Sequence, residues 1–249
     1  MSDYILGGWT QSLSAQAARS YSYVIYGMVT DLQNLKTGGG WGPGDTSPPI
    51  NYGKVMWAYG GEGAWPSGMP ATESDNENII QATESKNWDG VDFDDESDMN
   101  VGNLVATMSS LGDRHREKSY TFLAGWDYNH PEHSQGGMII NNKVKEIANK
   151  NVCDRFVMMC YGGGMWTMDE IKANVPYAVE RTVDYVRDSK KVILALTHAG
   201  LTINNLEYFL NEVTSNNLGG LFVWEFPSLN PEHLTKIESE LDLERTTTV

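Results

Sequence analysis

Short runs dense in Val, Ile, Tyr, Phe and Met recur along the chain, at 4–9, 21–29, 54–60, 90–95, 119–125, 155–161, 191–197 and 219–226. Runs of this length and composition predict strands buried on both sides, as in a parallel sheet. Between several of them the apolar spacing changes to that of a helix. Val101, Leu104, Val105 and Met108 follow i, i+3, i+4, i+7, as do Leu206, Phe209, Leu210 and Val213. Ile140, Val144, Ile147 and Ala148 follow i, i+4, i+7, i+8. Each set marks an amphipathic helix with one face on a sheet. Strand–helix alternation repeated about eight times in ~250 residues predicts an α/β fold of one domain, a (β/α)8 TIM barrel. An open doubly wound sheet is the other closure the alternation allows. The first half is less regular. Residues 37–50 (TGGGWGPGDTSPPI) have no periodicity and read as a loop, so the connection into the third strand is expected to lack a full helix. The single catalytic domain is expected over 1–245, with 246–249 a frayed tail.

Composition narrows the partners. The 249 residues include 18 Lys+Arg against 33 Asp+Glu, a formal net charge of −15. A phosphate-backbone binder needs a basic face, so no nucleic-acid partner is expected. No apolar run approaches the ~20 residues of a membrane helix, so no membrane partner is expected either. A monomer is expected. Met-Ser-Asp-Tyr lacks a basic leader segment and Tyr4-Ile5-Leu6 is too short for a leader's apolar core. The chain is therefore expected in the cytoplasm, or secreted with its leader removed. Cys153 and Cys160 read as two positions on one strand that cannot meet, hence free thiols.

The stretch with chemical content is Trp88-Asp89-Gly90-Val91-Asp92-Phe93-Asp94-Asp95-Glu96. Strand side chains alternate, so Val91 and Phe93 face the outer helices while Asp92, Asp94 and Glu96 point together toward the barrel axis. Three carboxyls on one inner face are costly, because burial and like charge both oppose ionisation. The arrangement has a purpose if one carboxyl must stay protonated near neutral pH. Glu96 ends the series at the C-terminal end of its strand, where barrel active sites lie. The glycine and ligand spacing of a calcium loop are absent, and His130-Pro131-Glu132-His133 is not a zinc motif. No metal and no cofactor are expected. The glycines at 38–40, 42 and 44 lack a phosphate-loop ending, and no Gly-x-Ser-x-Gly elbow occurs.

This stretch resembles the Asp-x-x-Asp-x-Asp-x-Glu signature of glycoside hydrolase family 18, the chitinases and endo-β-N-acetylglucosaminidases. Ala58-Tyr59-Gly60-Gly61 is similar to the family's Ser-x-Gly-Gly, with Ala58 departing from the serine. Met159-Cys160-Tyr161 matches its sixth-strand Met-x-Tyr, and Trp224 its eighth-strand tryptophan. A further departure is Gly162, where many chitinases of the family have Asp. The resemblance implies substrate-assisted catalysis without an enzyme nucleophile. It makes Glu96 the general acid. It places Asp94 on the substrate's N-acetyl N–H, Asp92 as the partner of Asp94, Tyr161 on the acetamido oxygen and Trp224 under the distorted sugar. Gly60 joins the substrate-binding positions through the same motif.

Two further readings concern the groove. Only about six residues separate Thr197 from the helix expected near Ile203, so the insertion carried by many processive chitinases is absent and an open cleft is expected. Trp9, Trp65, Trp126, Tyr128, Trp166 and Trp224 follow or end predicted strands, where flat aromatic faces suit pyranose rings. Trp41 lies in a candidate flap, Trp57 and Trp88 read as structural, and His198 as a solvent-facing loop residue. The expected function is hydrolysis of β-1,4 bonds after N-acetylglucosamine in chitin or chito-oligosaccharides. The N-glycan core is the alternative substrate, and a non-catalytic GlcNAc-binding barrel is the alternative of another class. A metal-dependent barrel enzyme is a third.

Overall fold

The computed structural model describes residues 3–33, 50–62, 68–96, 98–125 and 135–243, with the side chains of 135–141 excepted. Eight parallel strands close into a barrel in sequence order. They are β1 (Ile5–Thr10), β2 (Tyr23–Val29), β3 (Lys54–Gly60), β4 (Gly90–Asp95), β5 (Glu117–Leu123), β6 (Arg155–Met159), β7 (Val192–Thr197) and β8 (Gly220–Trp224). The closing pair is β8 with β1, in the register Ile5↔Gly220 to Trp9↔Trp224, which leaves no free edge and excludes the open sheet. The single-domain (β/α)8 barrel is therefore the fold.

The helices are α1 (Glu73–Ser85), α2 (Val101–Asp113), α3 (Gln135–Lys150), α4 (Met168–Val186), α5 (Ile203–Ser215) and α6 (Pro231–Glu240). The apolar stripes expected of α2 and α5 are buried: Leu104 and Met108 in one, Leu206, Phe209, Leu210 and Val213 in the other. Three helices that periodicity did not mark are set by their starts. Thr72 with Asp75 and Thr167 with Glu170 form capping boxes on α1 and α4, and Asn230-Pro231 opens α6. Among the described residues, no helix lies between β1 and β2, and no helix is long and apolar enough to cross a membrane.

The core has two parts. Outside the barrel wall, Val91, Phe93, Trp57 and Trp88 pack between strands and helices, with the two indole rings 5.1 Å apart, which makes Trp57 and Trp88 structural. Inside, Ile25, Met56, Val157, Ile193, Ala195 and Phe222 fill the axis. Each of these side chains other than Ala195 contributes about 1.5–3 kcal/mol through burial. Gly7 is required here, because a Cβ on it would lie 2.3 Å from the Phe222 ring. The barrel floor is polar but paired. Arg155 lies 4.0 Å over the Tyr23 ring, bonds its hydroxyl at 2.9 Å and meets Glu117 at 2.9 Å. Cys153 and Cys160 are free and buried, and they flank β6 rather than sharing it. Burial pushes both thiols up to about 12.

All the strands except β3 and β4 differ from the expected bounds by one or two residues at an end. β5 starts at Glu117 rather than 119 because Glu117 and Lys118 pair with Gly90 and Val91. β6 stops at Met159, before the turn-forming glycines. β8 stops at Trp224, because Phe226–Ser228 winds into a short 3-10 turn containing Pro227. β7 ends at Thr197 and α5 begins at Ile203, so nothing is inserted between them. The expected loop 37–50 lies outside the described residues apart from Ile50, as does the tail 246–249.

Candidate active site

A cavity of about 1030 Å³ opens at the C-terminal end of the barrel, and the acidic strand runs into it. Asp92 lies deepest and is fully buried. Its Oδ2 accepts the Trp9 indole N–H at 2.8 Å, and its Oδ1 accepts the Ser119 and Thr121 hydroxyls at 2.6 and 2.7 Å. Burial raises the Asp92 pKa, while these three hydrogen bonds and the Arg155 charge hold it back. The register places the donors: Ser119 lies beside Asp92 and Thr121 beside Asp94 on the neighbouring strand β5.

Asp94, one step nearer the mouth, is only 3% exposed and lines the cavity. Its Oδ1 is buried with no hydrogen-bond partner. Burial, then the charges of Glu96, Asp92 and Asp95, push its pKa well above the ordinary carboxylate range. Glu96 follows on the bend after β4 and also lines the cavity. Burial and the nearby Glu62 carboxylate raise its pKa to about 7, and a backbone hydrogen bond from Glu62 opposes the shift. Across the cavity, the Tyr161 phenol is held well above its ordinary value by burial and by Asp94 and Glu96. Burial and mutual repulsion therefore both favour keeping a proton in this row, as a general acid requires.

The backbone fixes this geometry. Gly60 has φ +127°, and a Cβ on it would lie 2.0 Å from the Asp94 carbonyl oxygen. The glycine lets β3 approach β4, and the Gly61 N–H donates to that same carbonyl at 2.9 Å. At the opposite side of the barrel, Glu225 accepts from the Thr10 hydroxyl and, at 3.0 Å, from the Gln11 N–H. This ties the mouth end of β8, and with it Trp224, to β1.

The structure brings Asp92, Asp94, Glu96, Tyr161, Gly60, Trp9 and Trp224 around one axis. Trp9 lines the cavity with little free face: it is 3% exposed, packs edge-on against Phe222 and uses its N–H to hold Asp92. One expectation needs correction. His198 is not solvent-directed, because its backbone N–H and ring Nδ1 both meet the Trp224 carbonyl, at 2.8 and 3.2 Å. Trp166 sits at the rim with 76% of its surface exposed. Trp126, Tyr128, Trp65, Trp41, His130 and His133 lie outside the described residues.

Sequence reading missed Ser119, Thr121, Glu62 and Glu225. The first two had a signal: Glu117, Ser119 and Thr121 alternate on β5 as Asp92 and Asp94 do on β4. Among the described residues, no group of three His, Cys, Asp or Glu is placed to hold a metal. The described cavity lining contains Glu62, Asp94 and Glu96 and no Lys, Arg or His.

No protein-family model matches this chain, and no curated protein matches it in sequence. Solved structures are similar in fold. The catalytic domain of a hyperthermophilic chitinase from Pyrococcus furiosus is 16% identical, with a TM-score of 0.63, covering 90% of this chain and 84% of that one. A fungal endo-β-N-acetylglucosaminidase from glycosyl hydrolase family 18 is 13% identical, with a TM-score of 0.65, covering 98% and 99%. The Bacillus megaterium spore cortex-lytic enzyme SleL is 11% identical, with a TM-score of 0.65, covering 99% and 75%. At these identities the similarity shows a shared barrel fold.

Proposed function

We propose that the protein is a retaining glycosidase that cuts β-1,4 bonds after N-acetylglucosamine in chitin or chito-oligosaccharides. The observation that carries the reading is the buried, unpartnered Oδ1 of Asp94, which lines the cavity between Asp92 and Glu96. A buried carboxyl oxygen without a partner costs about 1–3 kcal/mol, which a donor on a bound ligand would recover. The acetamido N–H of N-acetylglucosamine is such a donor. A lining with three carboxyl groups and no described cation suits an uncharged sugar better than an anionic one. The chitinase and endo-β-N-acetylglucosaminidase among the similar folds agree with this sugar class.

In the proposed reaction, Glu96 gives its proton to the glycosidic oxygen. The substrate's acetamido carbonyl oxygen attacks the anomeric carbon as the glycosidic C–O bond breaks. Asp94 orients the acetamido group through its N–H and balances the positive oxazolinium. Asp92, fixed by Trp9, Ser119 and Thr121, keeps Asp94 oriented and shares its proton. Tyr161 donates its hydroxyl to the acetamido oxygen, and Trp224 supports the ring. Glu96 then takes a proton from water, whose oxygen adds to the anomeric carbon and opens the oxazolinium.

The test compares the wild type with Glu96→Gln on a fluorogenic chitotriose analogue and on a high-mannose glycopeptide. Loss of a positioned general acid is expected to cost roughly 10²–10⁴ in rate. Cleavage of the glycopeptide alone would reassign the substrate to the N-glycan core. No wild-type cleavage of either, with retained binding of the oligosaccharide, would support a GlcNAc-binding barrel instead.

A further inference from the structure

Glu96 lies between two acids, Asp95 and Asp98, that are held by one cation on another element. Asp95 points away from the cavity and is fully buried against the helical layer. Its Oδ2 meets the Lys143 ammonium of α3 at 2.7 Å and accepts the Tyr120 hydroxyl at 2.7 Å, while its Oδ1 accepts the Met99 N–H at 2.8 Å. The same Lys143 nitrogen reaches Asp98 at 2.8 Å. Lys143 is itself only 6% exposed, far from the usual solvated state of a lysine. Asp98 has a left-handed backbone, φ 58°, and its carbonyl accepts the Gly68 N–H at 2.8 Å. The segment that carries Glu96 is thus gripped on both sides.

We propose that Lys143 is a positioning residue for Glu96: its paired contacts to Asp95 and Asp98 fix the Glu96 segment, and its charge neutralises the acid next to Glu96. A buried ion pair is a weak source of stability, since desolvation offsets most of its attraction. Its specificity is geometric, because one ammonium bridges carboxylates three residues apart, on either side of Glu96. Among the described residues, the titratable groups facing Glu96 are Glu62 just after β3, Asp94 and Asp95 on β4, and the Tyr161 phenol beyond β6. Asp95 raises the Glu96 pKa, and Lys143 is the cation directly paired to Asp95. The kinetic part of this assignment rests on Glu96 being the proton donor proposed above; the electrostatic part does not.

The experiment is a carboxyl carbon NMR titration of Glu96, its signal assigned by loss in Glu96→Gln, alongside kinetics on the fluorogenic chitotriose analogue. In Lys143→Met the Glu96 midpoint is expected to rise by about half a pH unit or more, as an uncompensated like charge requires. It should return toward the wild-type value in Lys143→Arg and in the double variant Asp95→Asn with Lys143→Met. In Lys143→Met, kcat is expected to fall about 10-fold while KM stays within about 2-fold, the pattern of a misplaced acid. A wild-type midpoint in Lys143→Met overturns the proposal. If Lys143→Met does not fold, Asp95→Asn alone decides: a lowered Glu96 midpoint supports the proposal and an unchanged one overturns it. Wild-type hydrolysis without these shifts overturns this assignment alone. The shifts without wild-type hydrolysis support it and overturn the glycosidase reading alone.

Discussion

Glu96→Gln is expected to make the protein more stable, and the gain should depend on pH. Burial and Glu62 lift the Glu96 pKa from 4.5 to about 7. A carboxyl whose folded pKa is raised binds its proton more tightly in the folded state. Its contribution to stability is present below the unfolded pKa and is lost as pH rises toward the folded value. Between 4.5 and about 7 the unfolded chain sheds that proton while the folded protein keeps it. At 1.36 kcal/mol per pKa unit the full penalty of ionised Glu96 reaches about 3 kcal/mol above neutral pH. Because the group lies at a solvent-filled mouth, about 1–2.5 kcal/mol is the working figure. Gln removes the charge and keeps the shape. The substitution should therefore be nearly neutral at about pH 4 and stabilising by about 1–2.5 kcal/mol at about pH 8, equivalent to roughly 2–10 °C in Tm for a chain of this size. Urea unfolding of both proteins at the two pH values measures this. A stability difference that does not change with pH, or a loss at pH 8, would refute the claim that Glu96 is held in a protonation-favouring site.

Further outcomes follow from the same geometry. The kcat/KM of the wild type should fall as pH rises through about 7, because the acid must carry its proton in the free enzyme; a fall already complete by about pH 5 would contradict the burial argument. Gly60→Ala should cost about 2 kcal/mol or more in urea unfolding, because its Cβ would press on the Asp94 carbonyl at 2.0 Å in a left-handed backbone. Trp166→Ala should leave Tm almost unchanged, since that ring is 76% exposed, yet raise KM for chitohexaose by about 5-fold through lost stacking; equal KM values would remove Trp166 from the binding surface.

The barrel and its acidic axis were legible in the sequence because period and chemistry agreed. β3 and β4 run over 54–60 and 90–95 as expected, and the alternation Val91, Asp92, Phe93, Asp94 sorts into outer core and inner axis as the strand period requires. The three unmarked helices had readable starts, the Thr-x-x-Asp and Thr-x-x-Glu boxes of α1 and α4 and the Asn-Pro of α6, and α4 also carries the regular buried set Ile171, Val175, Ala178 and Val179. The hydrogen bond from the Trp9 indole to Asp92 was not legible, because it depends on which carboxylate the closed register places beside the ring. The clamp of Asp95 by Lys143 joins residues 48 apart, and no local pattern announces a pair at that separation. The same holds for Glu225, whose partners lie more than 200 positions away in sequence and next to it across the β8–β1 seam.

The central claim is that Glu96 acts as acid and base around an intermediate made by the substrate's own acetamido group. Proton NMR of the first product formed from chitotetraose, recorded before mutarotation, tests it directly. The account predicts a new reducing end that is initially the β anomer, as retention demands, with the signal absent in Glu96→Gln. An initial α anomer, or undiminished cleavage by Glu96→Gln, would contradict it.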